Sequence, residues 1–112
     1  MTAMLAAVLD RTGPAETNPL QVRDCPAPAA PAVGQLLIRV RACGLCRTDL
    51  HVVEGELPQR RTPLIPGHQV TGLVESRGPG ATRFQTGARV GVAWLHSTCG
   101  ACVHCRAARE NL

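Results

Sequence analysis

The chain has 112 residues, of which 45% are hydrophobic and 18% are charged, so its length and composition are those of one small globular domain. Its net charge is +4 with histidine neutral, but the basic residues are scattered, and aromatic residues make up only 2% of the chain. These figures exclude a nucleic-acid reader, which needs a basic stripe or several rings on which bases can stack.

Short strands separated by glycine and proline are predicted along most of the chain. The segment 47–53 predicts a short helix, because it lacks the glycine and proline that surround it. No G-x-G-x-x-G motif follows a strand, so no dinucleotide-binding Rossmann domain is predicted in this chain. The pattern as a whole predicts a mainly β domain, either barrel-like or a sandwich. Apolar runs or alternation predict the strands 4–9, 20–24, 35–42, 69–76 and 89–94.

Within the strand 35–42, one set of side chains is expected to share a face. That set consists of Leu36, Ile38, Val40 and Ala42.

No stretch of the sequence has the length of a membrane span, and residues 1–8 lack the cationic start of a signal peptide. We therefore expect no membrane partner and predict a cytoplasmic location. In that compartment six cysteines are more often metal ligands or free thiols than disulfide partners.

Cys46 and His68 are the first candidate metal ligands, as a thiolate and a neutral imidazole suited to Zn²⁺. Cys46 immediately precedes the predicted helix, where the helix N-terminus lowers the pKa of a thiol. Asp49 could orient the His68 ring, and the hydroxyl of Thr48 with the imidazole of His51 could form a proton relay.

Cys43 and Cys46 have the C-x-x-C spacing, which allows two further interpretations. A redox pair of the thioredoxin kind requires a βαβ unit, and none is predicted here. Both thiols could bind one metal, although Cys43 ends a predicted strand and could face away from Cys46.

A second candidate metal site lies near the end of the chain, where small residues and cysteines dominate. Cys99, Cys102 and Cys105 could wrap one metal ion with a tight loop. The main rival is a [4Fe–4S] cluster, which needs a fourth cysteine followed by proline, but Arg109 occupies that position. The spacing therefore favours zinc over an iron–sulfur cluster.

Taken in order, these motifs resemble those of the zinc-dependent medium-chain alcohol dehydrogenases, over nearly the whole chain. The resemblance implies that residues 1–112 form the N-terminal GroES-like barrel domain of such an enzyme, with short helices and a structural-zinc lobe that begins near residue 97. The bacterial propanol-preferring type is the most similar. The segments that carry the resemblance are ACGLCRTDLH (42–51), TDLHVVEGE (48–56), PLIPGH (63–68), VAWL (92–95) and CGACVHC (99–105).

The resemblance implies a role for each matching residue at the first site. Cys46 and His68 would be two of three protein ligands to a catalytic zinc. Asp49 would contact these ligands without binding the ion itself. Thr48 would bind the alcohol oxygen and start the relay. His51 would pass the proton to solvent and contact the cofactor.

The resemblance also implies the reaction and its partners. The complete protein would oxidise a small primary alcohol to an aldehyde with NAD(P)⁺, or catalyse the reverse, and would be a homo-oligomer. Arg47 would face the cofactor pyrophosphate, and Trp94 would form a wall of the substrate pocket. Cys99, Cys102 and Cys105 would hold a structural zinc.

The sequence departs from the family pattern at three points. Gln69 stands where the family has glutamate, which removes a charge near the metal. The third catalytic ligand of the family is a cysteine well downstream, and the fourth structural ligand falls one position beyond Leu112. We therefore interpret the chain as an incomplete domain and expect the isolated fragment to be inactive.

Two other classes of protein stay open. A stand-alone zinc-binding module would have no catalytic activity, and it leaves Thr48, Asp49, His51 and Trp94 without a purpose. A reductase of the same fold that works without zinc would not need Cys46, His68 or the cluster.

Overall fold

The computed structural model describes residues 3–112, and these fold mainly into antiparallel β-structure. The first two residues of the predicted 1–112 domain lie outside the described residues. One sheet contains β1 and β2, and a second has the order β3-β4-β5. The elements are β1 (Ala3–Leu9), β2 (Leu20–Pro26), β3 (Leu36–Cys43), α1 (Arg47–Glu54), β4 (Val70–Arg77), β5 (Arg89–Val92) and α2 (Val103–Arg106), with a 3₁₀ turn at Ala15–Thr17.

The mainly β prediction is confirmed, and each predicted strand has an observed counterpart. The limits differ at strand ends, where local pattern carries least information. β2 continues to Pro26, which pairs with Ala3 at the end of the ladder, where a missing N–H costs little. β5 ends at Val92, so the prediction that this strand reaches Trp94 was wrong. The helix α2 and the 3₁₀ turn were not predicted.

The core is small, and the first sheet and α1 provide most of it. Leu9 is fully buried, and its N–H and C=O bond to Leu64 at 2.7 and 3.0 Å. These two bonds fasten the chain after α1 to the first sheet. The buried hydrophobic side chains within residues 3–112 are Ala6, Val8, Leu9, Val53 and Val74.

The strand β3 does not keep the single apolar face that its alternating sequence predicts. Its pairing with β4 shifts between Leu37 and Ile38 and again between Val40 and Ala42. The first shift leaves Glu75 of β4 without a partner in the ladder and the second does the same for Arg41 of β3, so the alternation within β3 is interrupted only after Val40, and Ala42 moves to the other face. Val40 is 57% exposed.

The pairing of β3 with β4 determines where the site forms. Cys43 at the end of β3 pairs with Val70 at the start of β4. The chain that leaves β3 toward Cys46 therefore meets the chain that arrives at β4 through His68. Gly44 N–H donates to the Gln69 carbonyl at 2.8 Å and continues the contact beyond the ladder.

Helix α1 begins and ends at residues suited to those positions. Cys46 is the N-cap, with extended backbone and a sulfur that accepts from Thr48 N–H. Gly55 ends the helix with φ of +83°, a conformation that costs glycine little. Asp49 and Val53 are the buried residues of the helix, one turn apart on one face.

Within residues 3–112, the structure has no helix that is both long and apolar enough to cross a membrane.

Candidate functional site

Cys46 and His68 lie together at the junction of β3, α1 and β4. Cys46 Sγ is 3.1 Å from His68 Nε2, although the two residues are far apart in sequence. Both side chains are half-buried. The antiparallel pairing of β3 with β4 brings together the two loops that carry them, so the fold creates this contact.

Asp49 binds both candidate ligands from the protein interior. Its Oδ1 is 3.3 Å from His68 Nδ1, and its Oδ2 accepts from Cys46 N–H at 2.9 Å. Asp49 has a relative exposure of only 6%. Because an ionised carboxylate can only accept, its position favours a proton on Nδ1 and leaves the Nε2 lone pair directed toward the thiol side.

The surroundings of Cys46 favour its thiolate form. Hydrogen bonds from Thr48, from its hydroxyl first and its N–H second, lower the pKa of the Cys46 thiol below the ordinary value of 9.0. A smaller contribution in the same direction comes from the Asp49 N–H, and another from His68 when its Nε2 carries a proton. A thiolate is the form that binds a metal ion, so these contacts prepare Cys46 as a ligand.

The cluster of potential ligand atoms at this site contains Cys46, Asp49 and His68, all within 4.8 Å of one another. Cys43 does not belong to it among the described residues; its thiol is exposed and contacts the Gly44 carbonyl at 3.7 Å. Since both Asp49 oxygens face partners inside the protein, the free donor atoms are the sulfur and the imidazole nitrogen.

The other candidate residues surround this pair. Thr48 and His51 are half-buried and lie one turn apart on α1, so their side chains are neighbours. Arg47 is exposed at the first helical position. Trp94 packs against His68 with ring centroids 4.8 Å apart and an interplanar angle of 69°. Gln69 lies against Gly44, where a Cβ would stand 2.9 Å from Gln69 Oε1.

Sequence reasoning missed Glu56, which lies beside His51. Glu56 Oε2 is 2.5 Å from His51 Nδ1, but the two atoms are not aligned as a hydrogen bond. The reversal at Gly55 turns the chain back, and Glu56 N–H donates to the His51 carbonyl at 3.0 Å. The sequence signal that could have indicated this contact is Gly55, a glycine that follows the predicted helix and allows the chain to reverse.

The second cluster consists of Cys99, Cys102 and Cys105, whose sulfur atoms all lie within 4.8 Å of one another. Cys99 Sγ and Cys105 Sγ are 3.8 Å apart. Gly100, with φ of +70°, makes the turn, and α2 starts directly after Cys102. His104 is exposed and is not part of the cluster. The loop thus gathers three thiols on one side.

The loop also supplies two backbone donors to one of these thiols. The N–H groups of Ala101 and Cys102 donate to Cys99 Sγ at 3.4 and 3.3 Å. These bonds, that of Ala101 first, lower the pKa of Cys99 from 9.0 to about 7. The thiolate of Cys99, which is the form that binds a metal ion, is therefore already favoured near neutral pH.

Comparison with known proteins gives a consistent result. Residues 32–112 match the family model described as the alcohol dehydrogenase GroES-like domain. The chain is 49% identical over 114 residues to a protein of Mycobacterium tuberculosis named probable alcohol dehydrogenase AdhA, covering 97% of this chain and 33% of the relative. The chain thus spans about a third of the length of this relative.

Two solved structures are similar over nearly the whole chain. A thermostable alcohol dehydrogenase from Pyrobaculum aerophilum with bound cobalt and zinc has a TM-score of 0.86 and 32% identity, covering 98% of this chain and 32% of its own. A protein described as a zinc-binding dehydrogenase from Sinorhizobium meliloti, bound to NADP, has a TM-score of 0.79 and 34% identity, covering 100% of this chain and 30% of its own.

Proposed function

The chain belongs to the alcohol dehydrogenase GroES-like domain family, and on that premise we propose that the protein carrying it is a zinc-dependent alcohol dehydrogenase. Its reaction is the oxidation of a small primary alcohol to an aldehyde with NAD(P)⁺, or the reverse. The observation that carries the proposal is the convergence of Cys46 Sγ and His68 Nε2 at 3.1 Å, with the Asp49 carboxylate behind the imidazole. We assign residues 1–112 to one domain, with a zinc lobe from about residue 97.

The donor set fits zinc at the first site. A thiol with a lowered pKa and an imidazole whose other nitrogen faces a buried carboxylate are the ligand types that Zn²⁺ prefers. Cys46 and His68 would hold the ion, and Asp49 would orient the imidazole. When bound, zinc supplies Lewis acidity that lowers the pKa of an alcohol hydroxyl, and NAD(P)⁺ supplies the hydride acceptor.

The proton released by the alcohol needs a path to water, and α1 provides one. The Thr48 hydroxyl is half-buried beside Cys46 and can accept a proton while it donates its own. His51 lies one turn further along the helix and can carry the proton outward. Glu56, whose side chain is 56% exposed, places a carboxylate beside His51 Nδ1, at the solvent side of this path.

Two residues serve binding in this proposal. Arg47 presents an exposed guanidinium at the first turn of α1, where it can pair with the phosphates of a dinucleotide, and His51 can contact the same cofactor. Trp94 is 64% exposed next to His68 and would limit the space for the alcohol. A large indole at this place favours small substrates over bulky ones.

The cysteine cluster has a structural role in this proposal. Cys99, Cys102 and Cys105 would hold a second zinc and so fix a loop in which all but one residue of 99–112 is exposed. So exposed a segment cannot be ordered by apolar burial, and a structural zinc contributes folding free energy directly.

Metal analysis and a turnover assay test the proposal together. We expect the purified protein at its native length to contain zinc and to form NAD(P)H when a small alcohol is added. We expect the isolated 112-residue chain to bind zinc without turnover. Zinc without activity at native length would favour a stand-alone zinc-binding module. Activity without zinc would favour a reductase that works without the metal.

A further inference from the structure

We propose that Trp94 is a positioning residue for the metal ligand His68, in addition to any part that it plays in the substrate pocket. The inference rests on the proposed function, in which His68 binds zinc. It assigns to Trp94 a task that the family resemblance does not imply, namely holding the imidazole in the orientation that metal binding requires.

The register of β4 and β5 explains why the two rings meet. Val70 pairs with Val92 at the end of the antiparallel ladder. His68 lies two residues before Val70 and Trp94 two residues after Val92, so continuing the antiparallel register past the ends of both strands brings the two residues opposite each other. The observed distance of 4.8 Å between the ring centroids is that of a direct contact between the two rings. The pairing of two strands therefore determines what packs against the ligand.

The contacts of the His68 ring leave a task for this neighbour. Cys46 and Asp49 lie at its two nitrogens, at 3.1 and 3.3 Å, and restrain it at its nitrogen-bearing edge. Trp94 meets the imidazole at 69°, a T-shaped contact that opposes tilting of the ring out of its plane.

The exposure of Trp94 supports the assignment. An indole that is 64% exposed is not held by a core, and β5 has already ended at Val92. Trp94 is also the only tryptophan of the chain, which has no tyrosine. Truncating Trp94 should therefore disturb His68 while leaving the buried core intact.

Variants of Trp94 test the inference through metal affinity. The variants are Trp94→Leu and Trp94→Phe in the protein at native length, with Leu95→Ala as a matched control, because Leu95 is adjacent and 45% exposed. Zinc affinity is measured by competition with a chromophoric chelator. We expect Trp94→Leu to weaken the Cys46–His68 site roughly two- to tenfold, Trp94→Phe to restore most of the affinity, and Leu95→Ala to match the parent.

The cysteine cluster serves as an internal reference, because its affinity should not change in any variant. Parent-like zinc affinity in Trp94→Leu would overturn the inference, even if alcohol selectivity changed, since Trp94 would then be only a pocket wall.

A second readout separates this inference from the proposed function. Two-bond ¹H–¹⁵N correlation spectra of the metal-free protein report which nitrogen of His68 carries the proton. We expect one tautomer in the parent and a mixture in Trp94→Leu, with Trp94→Phe close to the parent. Identical spectra in all three proteins would overturn the positioning role. If zinc leaves the His68 resonances of the parent unchanged, the proposed function fails, while the tautomer comparison still decides the role of Trp94.

Discussion

Cys46 and Asp49 cap helix α1 reciprocally, and the same two side chains face His68. The Cys46 sulfur accepts from Thr48 N–H at 3.4 Å, and Asp49 Oδ2 accepts from Cys46 N–H at 2.9 Å. Asp49 Oδ1 then points at His68 Nδ1. The start of the helix and the candidate metal site are thus built from the same residues. A change in either residue should affect both helix stability and metal binding.

Replacing Cys46 should therefore have two effects. Cys46→Ala should abolish zinc binding at the first site, because it removes one of the two free donor atoms that residues 3–112 provide there. It should also destabilise the metal-free fold by about 1 kcal/mol, the usual cost of losing an N-cap acceptor. Zinc stoichiometry and urea unfolding of the metal-free protein measure the two effects.

Cys43→Ala is the matched control for this change, since its thiol lies outside the ligand group. It should retain the zinc stoichiometry of the parent. Loss of zinc in Cys43→Ala would show that both thiols of the C-x-x-C motif bind the metal.

Asp49→Asn should weaken zinc binding while the fold persists. The amide oxygen can still accept from Cys46 N–H, but the negative charge that faces His68 Nδ1 is lost. Outer partners of metal-bound histidine typically change affinity by about 10- to 100-fold, and a chelator competition should show a loss in that range. Asp24→Asn, at an exposed position of β2, should leave the affinity unchanged.

Gly72→Ala should destabilise the second sheet. A Cβ at Gly72 would stand 2.7 Å from Ile38 Cγ2 and even closer to the Arg39 carbonyl oxygen, so β3 would have to move. We expect a loss of about 1–3 kcal/mol in the free energy of unfolding. Gly91→Ala is the matched control, because Gly91 lies in the ladder between β4 and β5 and a Cβ there would have its nearest neighbour 3.9 Å away. Urea unfolding of this variant should give a free energy of unfolding close to that of the parent.

Cys99 should react with alkylating reagents at an unusually low pH. Its folded-state pKa of about 7 lies below the ordinary 9.0, because the Ala101 and Cys102 amides stabilise the thiolate. Iodoacetamide labelling of the metal-free protein, followed by peptide mass spectrometry, should show a midpoint near pH 7 for this residue. Excess zinc should suppress the labelling. A midpoint near 9 would mean that the amides do not favour the thiolate.

The same shift gives a pH dependence of stability. A depressed thiol pKa contributes stability that is complete above pH 9 and is lost as the pH falls through about 7. The metal-free loop around Cys99 should therefore become more ordered as the pH rises between these values. Amide exchange of Ala101 and Cys102 across this range measures the effect.

Local pattern predicted the five strands, helix α1 and the candidate ligand residues, because each of these has a signal in its own stretch of sequence. The alternation over β3 and the helix after Cys46 are local signals of this kind. The conclusion that Cys43 and Cys46 play different roles also began from a local signal, the end of a strand at Cys43. The family was identified from motifs in order along the chain.

Other features depend on pairing between distant segments and could not be predicted. The shifts of register between β3 and β4 arise where the two strands meet, and no single strand encodes them. The contact of Trp94 with His68 follows from the register of β4 and β5. The approach of Glu56 to His51 depends on the side-chain conformations that follow the turn at Gly55.

The two hydrogen bonds between Leu9 and Leu64 tie the segment that leads to His68 to a strand at the other end of the chain. Fraying of β1 would release that segment, so the amide hydrogen of Leu64 should exchange with solvent at the rate at which β1 opens. A substitution at Leu9 could then mimic a ligand mutation while touching no ligand. When a variant in β1 loses its metal, release of the segment that leads to His68 should be tested before the loss of a metal ligand is inferred.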